Sequence, residues 1–206
     1  MTAGVGAVVK VGGGLLGGRL DEASPGRRAL DAVMAALGDA AARRLVVVPG
    51  GGPFADAVRA ADARDALGES EAHWMAVLAM EQMAHLLAAG QADQAGQAGA
   101  RLADDAPSLW AALDAGRLAV LAPYHWLRAA DPLPHSWAVT SDSIAAWFAG
   151  ELGASRLVLV KPVAGELSAM VDEHFPHALP AGVRAVVVGA DPAAHFPAAL
   201  ARALDG

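Results

Sequence analysis

Short, near-continuous apolar runs, rich in β-branched residues, recur along the chain at 7–11, 45–48, 118–121, 157–160 and 183–188, with a weaker one at 137–140. They lack the polar alternation of a half-exposed strand, so they read as strands buried on both faces. Helical segments fall between them, at roughly 26–42, 54–67, 71–89, 141–152 and 192–204. In 141–152, Ile144, Trp147, Phe148 and Leu152 share one helical face, and Gly153 is a plausible stop. This alternation predicts a three-layer αβα sandwich around a mainly parallel sheet, as a single domain over 1–206. Residues 71–89 are apolar nearly all round, which predicts a helix buried in the core or in a homodimer interface. The Gly-Gln-Ala-rich stretch 88–106 reads as a flexible low-complexity loop.

Composition narrows the function. With 55% hydrophobic and 18% charged residues the chain is globular, and 206 residues suffice for a sizeable core. A formal net charge of −7 argues against bulk attraction to nucleic acid or an anionic membrane. An anionic ligand would need a local positive site. The absence of cysteine excludes disulfides, thiolate metal sites and a cysteine nucleophile, and it fits a reducing cytoplasm. No targeting segment is recognisable, and no stretch approaches the roughly 20 apolar residues of a membrane span.

Two glycine turns follow the first two runs. After Val8-Val9-Lys10-Val11 come Gly12, Gly13 and Gly14, and after Val46-Val47-Val48-Pro49 come Gly50, Gly51 and Gly52. Each is compatible with a plain tight turn. Each could also offer backbone N–H groups to an anion, the second with a helix N-terminus behind it. In a parallel sheet both lie on the carboxyl edge, where ligands bind. Gly12-x-Gly14-x-x-Gly17 formally matches a dinucleotide fingerprint, but no carboxylate ends the second run. A Walker A motif fails, because Gly18 is followed by Arg19 and Leu20.

Lys10 and Lys161 each sit within or at the end of an apolar run. Either could snorkel to solvent, or act as a point charge on phosphate oxygens. Thr140-Ser141-Asp142 opens a helix, where capping alone would account for these residues.

Taken in order, Lys-x-Gly-Gly, Gly-Gly-Gly, a helix-opening Asp and a strand-end Lys resemble the amino-acid kinase superfamily. A closer resemblance is to the small [5-(aminomethyl)furan-3-yl]methyl phosphate kinase branch of methanofuran and methylofuran biosynthesis. Residues 48–59, 73–82 and 136–147 carry it. The resemblance implies the amino-acid kinase fold, ATP with Mg2+, and a small phosphorylated or carboxylate acceptor. It implies Lys10, Asp142 and Lys161 as the catalytic set. Gly12, Gly13, Gly14, Lys161, Pro162 and Gly165 would lie on the nucleotide side. Gly50, Gly51, Gly52, Arg59, Thr140 and Ser141 would lie on the acceptor side, with no protein-held metal. Gly14 departs from a common serine and Ala164 from a common aspartate.

A substrate amine would want a carboxylate, for which Glu81 and Asp131 are candidates, while Arg59 could equally be a surface arginine. His174 and His177, beside Asp172 and Glu173, have loosely metal-like spacing in what reads as a solvated turn. Trp110, Trp126 and Trp147 read as core. A dinucleotide-dependent oxidoreductase and a non-catalytic oxyanion binder remain open alternatives.

Overall fold

A computed structural model describes residues 4–17, 24–90, 99–191 and 193–206. Six strands form one sheet: β1 (Ala7–Val11), β2 (Leu45–Pro49), β3 (Ala100–Ala103), β4 (Leu118–Leu121), β5 (Arg156–Lys161) and β6 (Arg184–Gly189). Their order is β3-β4-β2-β1-β5-β6, and every adjacent pair is parallel. The helices are α1 (Pro25–Asp39), α2 (Gly52–Asp65), α3 (Glu69–Ala89), α4 (Ala106–Asp114), α5 (Tyr124–Ala130), α6 (Ser141–Glu151), α7 (Leu167–Met170), α8 (Phe175–Ala178) and α9 (Phe196–Asp205).

The expected sandwich is present. Strand alternation divides the interior into two layers. Val9, Val47 and Val158 pack with Leu30, Met34 and Leu200, from α1 and α9. Val8, Val46, Leu157 and Leu159 pack on the other face with Leu109, Leu127, Ile144 and Phe148, from α4, α5 and α6. Burying each such large side chain stabilises the fold by about 1.5–3 kcal/mol. Trp110, Trp126 and Trp147 are half-buried against this second layer, as expected of core residues.

Four expectations need correction. Residues 137–140 are not a strand but a turn entering α6. Their polar groups bond to other side chains: Trp137 Nε1 donates to Asp62 and Thr140 donates to Asp172. The stretch 88–106 is not one loop. α3 runs to Ala89, and Ala100–Ala103 is an edge strand beside β4, followed by α4. Alanine carries little strand propensity, so β3 is recognisable only from its pairing. The remainder, 91–98, lies outside the described residues, as do Gly18, Arg19 and Leu20. The turn expected around His174 and His177 holds the short helix α8. Pro192, the expected start of the last helix, is also outside the description, and α9 begins at Phe196.

β1 lies at the sheet's switch point. The chain moves from β1 to β2 on one side and later crosses to β5 on the other. A crevice opens at the carboxyl ends of strands at such a point. Among the described residues, no helix is long and apolar enough to cross a membrane.

Candidate active site

Register brings the two lysines together. Lys10 of β1 pairs with Leu159 of β5, so Lys161 lies one two-residue step further along the same face. That face also carries Val8, Leu157 and Leu159, and α6 packs over it. The first turn of α6 therefore meets both lysines at the carboxyl edge of the sheet.

Asp142 joins them. Its Oδ2 accepts from Lys161 Nζ at 2.7 Å, and Lys10 Nζ lies 2.9 Å from Oδ1. Lys10 and Asp142 are 5% and 4% exposed, which excludes the snorkelling reading for Lys10. Oδ1 is buried without a hydrogen bond of good geometry, so the Lys10 contact is an ion pair. Burial pushes the Lys10 ammonium below its ordinary pKa; Asp142 opposes that fall and Lys161 adds to it. Burial would raise the Asp142 carboxyl, but the two lysines outweigh it and hold it below the usual carboxylate range. Two ammonium groups share one carboxylate, leaving the trio, buried at Lys10 and Asp142 and partly exposed at Lys161, one positive charge in surplus. A buried charge is costly unless compensated, so the trio is built to receive an anion.

The glycine turns pack directly against each other beside the trio. Gly12 N donates to Val160 O at 3.1 Å, and Gly50 N donates to Val11 O at 2.9 Å. A Cβ on Gly13 would lie 2.2 Å from Gly52 N, and one on Gly50 would lie 2.7 Å from Gly13 N. Close backbone approach therefore accounts for these two glycines. The first turn continues as a 3-10 helix (Gly13–Leu16) ending at Gly17, with φ 57. A dinucleotide fingerprint instead opens an α-helix. The second turn opens α2, with Pro53 in its first turn, as expected.

A cavity of about 620 Å³ runs from the trio along α2 and α3. Lys10, Asp142 and Lys161 stand at one end with Gly13, Gly14, Gly51, Gly52, Thr140 and Ser141. Ala76, Val77, Met80 and Ile144 make an apolar middle. The far end carries Asp62, Glu69, His73 and Trp137. Arg59 also lines it, but its guanidinium pairs with Asp56 at 3.2 Å and stacks on Trp137 at 4.9 Å. Gly12, Gly50, Pro162 and Gly165 stand outside the lining; Pro162 lies beside Gly14, and Gly165 packs on Met170.

Neither Glu81 nor Asp131 lines the cavity. Glu81 accepts from Tyr124 N at 2.9 Å, capping α5, and Asp131 pairs with His135 at 2.8 Å. Besides Asp142, the carboxylate residues lining the cavity are Asp56, paired with Arg59, and Asp62 and Glu69.

Asp172 is the residue whose place sequence reasoning missed. It accepts from the amides and hydroxyls of Thr140 and Ser143, on either side of Asp142. Its only sequence signal was proximity to two histidines, which pointed to metal. Among the described residues, no group of three or more such side chains could hold a metal ion.

A parallel αβα sandwich with an anion-ready lysine pair at its switch point is the architecture of a phosphate-handling protein. The amino acid kinase family model matches residues 6–171, and the chain belongs to that family. It is 28% identical over 123 residues to the [5-(aminomethyl)furan-3-yl]methyl phosphate kinase of Methanocaldococcus jannaschii. That match spans 60% of this chain but only 54% of the relative, about half its length. In structure the chain resembles uridylate kinase from Archaeoglobus fulgidus, with TM-score 0.65 and 15% identity over 97% of this chain and 95% of the other. It also resembles UMP kinase from Bacillus anthracis, with TM-score 0.65 and 16% identity over 96% and 92%. At such identities these two support the fold alone.

Proposed function

We propose that this chain is an ATP-dependent phosphotransferase that moves the γ-phosphoryl group onto a small phosphate monoester, giving a diphosphate. The observation that carries this is the pair of lysines sharing Asp142, Lys10 buried and Lys161 partly exposed, with a surplus positive charge facing a cavity large enough for a small acceptor. Phosphoryl transfer needs positioning and charge stabilisation more than covalent help from the protein. Lys10 and Lys161 would hold the transferring group from two sides, and Asp142 would keep both ammonium groups aimed. Amides of the two glycine turns would receive phosphate oxygens. A phosphate monoester is already ionised, so attack by its oxygen needs no general base. Mg2+ would arrive on the nucleotide, bound mainly by phosphate oxygens and water. Asp142 is already engaged by both lysines and does not offer a free carboxylate to the ion.

The best acceptor candidate is [5-(aminomethyl)furan-3-yl]methyl phosphate, which the relative's name supplies. Its phosphate suits the glycine end, its ring the apolar middle, and its amine the carboxylate of Glu69, since both oxygens of Asp62 already accept, from Trp137 Nε1 and Leu67 N. Isopentenyl phosphate and uridylate, as competing acceptors, carry no cationic group to meet a carboxylate beside an apolar wall, and amino acids, whose α-ammonium could do so, lack the phosphate monoester.

An ATP·Mg2+ consumption assay over these acceptors tests the reading. The furan phosphate should give the highest kcat/KM, and Lys161→Ala should lower kcat by about 10²–10³-fold. No turnover with any acceptor, together with undiminished ATP binding, would instead favour a non-catalytic binder. Activity that survives both Lys161→Ala and Asp142→Asn would remove the assigned roles.

A further inference from the structure

We propose that Asp172 is a positioning residue for phosphoryl transfer: its carboxylate clamps the first turn of α6 and so fixes where Asp142 holds the two lysines. The inference rests on the reading of Lys10, Asp142 and Lys161 given above.

The first turn of a helix has amides with no partner inside the helix. Here the usual local cap is weak, since Thr140 Oγ1 receives Asp142 N at 3.4 Å. Asp172 adds a stronger acceptor from a distant part of the chain. Its Oδ2 accepts from Thr140 N at 2.9 Å, Thr140 Oγ1 at 2.7 Å and Ser143 N at 3.1 Å, and its Oδ1 accepts from Ser143 Oγ at 2.5 Å. Both residues so held are near neighbours of Asp142, one on each side of it. Asp142 is thereby fixed through the backbone without being touched.

The clamp also joins two parts of the site. Asp172 follows the segment that leaves Lys161 at the end of β5, and His174 N adds a second tie to Ala138 O at 3.3 Å. The carboxylate thus links the chain beyond one lysine to the helix carrying their shared partner. Its charge also favours the ammonium form of Lys10, though less than Asp142 does.

Asp172→Asn keeps the size of the side chain but replaces one acceptor oxygen with a donor, so part of the clamp must open. With ATP·Mg2+ and [5-(aminomethyl)furan-3-yl]methyl phosphate, kcat should fall about 10–100-fold, as for other groups that orient a reacting residue, while KM for both substrates changes by less than about threefold. In an Asp142→Asn background the same substitution should cost less than about twofold, because residues acting as a unit are non-additive. Additive losses, or a raised KM with kcat intact, would overturn the proposal.

A second arm needs no acceptor. The side-chain NMR resonances of Lys10 and Lys161 are titrated in the nucleotide-free protein. Asp172→Asn should shift both sets and move the Lys10 midpoint to lower pH; unchanged lysine signals would reduce Asp172 to a stability residue. Should Asp172→Asn fail to fold, Ser143→Ala removes one of the four contacts and is read the same way, with a few-fold loss in kcat. A wild-type enzyme that transfers nothing sinks the phosphotransfer reading, while the lysine titration still decides the clamp.

Discussion

Lys10 sits on a central strand with an ammonium group that burial makes costly and the Asp142 carboxylate, helped by the charge of Asp172, makes tolerable. Its pKa therefore lies below 10.5, with burial as the main cause. Catalysis that needs the cation should decline as pH rises through this lowered value, so the basic limb of the kcat/KM profile, which reports the free enzyme, should fall below the ordinary lysine range. Asp142→Asn removes the strongest opposing influence and should move that limb lower still, where activity remains measurable. Asp142, held below 3.8, stays ionised across the working range. Its stabilising contribution is present above the unfolded value and is lost only as pH falls through the folded one. Gly14 makes a contrast at the same scale. A Cβ there would meet only Pro162, at 3.8 Å, so Gly14→Ser should change stability by no more than about 0.5 kcal/mol. Thermal melts of the variant check this.

The two glycine turns act as one element because each occupies the space the other's side chains would need. Gly13→Ala drives a Cβ into the backbone of Gly52, so one turn must move. The expected loss is about 1–3 kcal/mol of stability, as for other overpacked sites, with a fall in kcat; denaturant melts and initial rates measure the two. The segment between α5 and α6 is a second such unit. It is tied to α2 by Trp137 Nε1 to Asp62 at 2.7 Å, and to α3 by His135, which bonds Ser70 at 2.7 Å and stacks on His73. Burial and the neighbouring His135 lower the His73 pKa to about 4. The unfolded chain takes up this proton near pH 6.5 but the folded protein only near 4, so acidification through that window favours unfolding. The melting temperature should drop between pH 6.5 and 4, and His73→Gln should flatten the drop.

At the scale of the whole molecule, a ligand that binds only the folded sandwich stabilises it by mass action. ATP·Mg2+ at 100 times its Kd should add about 2.7 kcal/mol, read as a rise in Tm, and NADH should add nothing. Homodimerisation through α3 remains a proposal, motivated by Met75 and Leu78, which are exposed one turn apart on that helix. Sedimentation of the wild type should give a dimer, and the double substitution Met75→Asp with Leu78→Asp should give a monomer.

Much of this protein was legible in its residues taken in order. The apolar runs marked five of the six strands, because strands buried on both faces cannot alternate with polar residues. Lys10 and Lys161 stood out because charge beside such runs is expensive, whereas Asp142 read as a capping residue and gained its role only from the resemblance. The edge strand β3 was not legible, since alanine says little until a partner strand lies beside it. Nor was the far end of the cavity: Glu81 and Asp131 suited an amine by type, yet each is committed to a neighbour that only folding supplies. Lys10, Asp142 and Lys161 could be singled out one by one from the sequence. That the two lysines share one face of the sheet was decided by the β1–β5 register, and that Asp142 meets them by the packing of α6, whose first turn Asp172 holds, because hydrogen bonds between distant segments exist only once the chain has closed on itself.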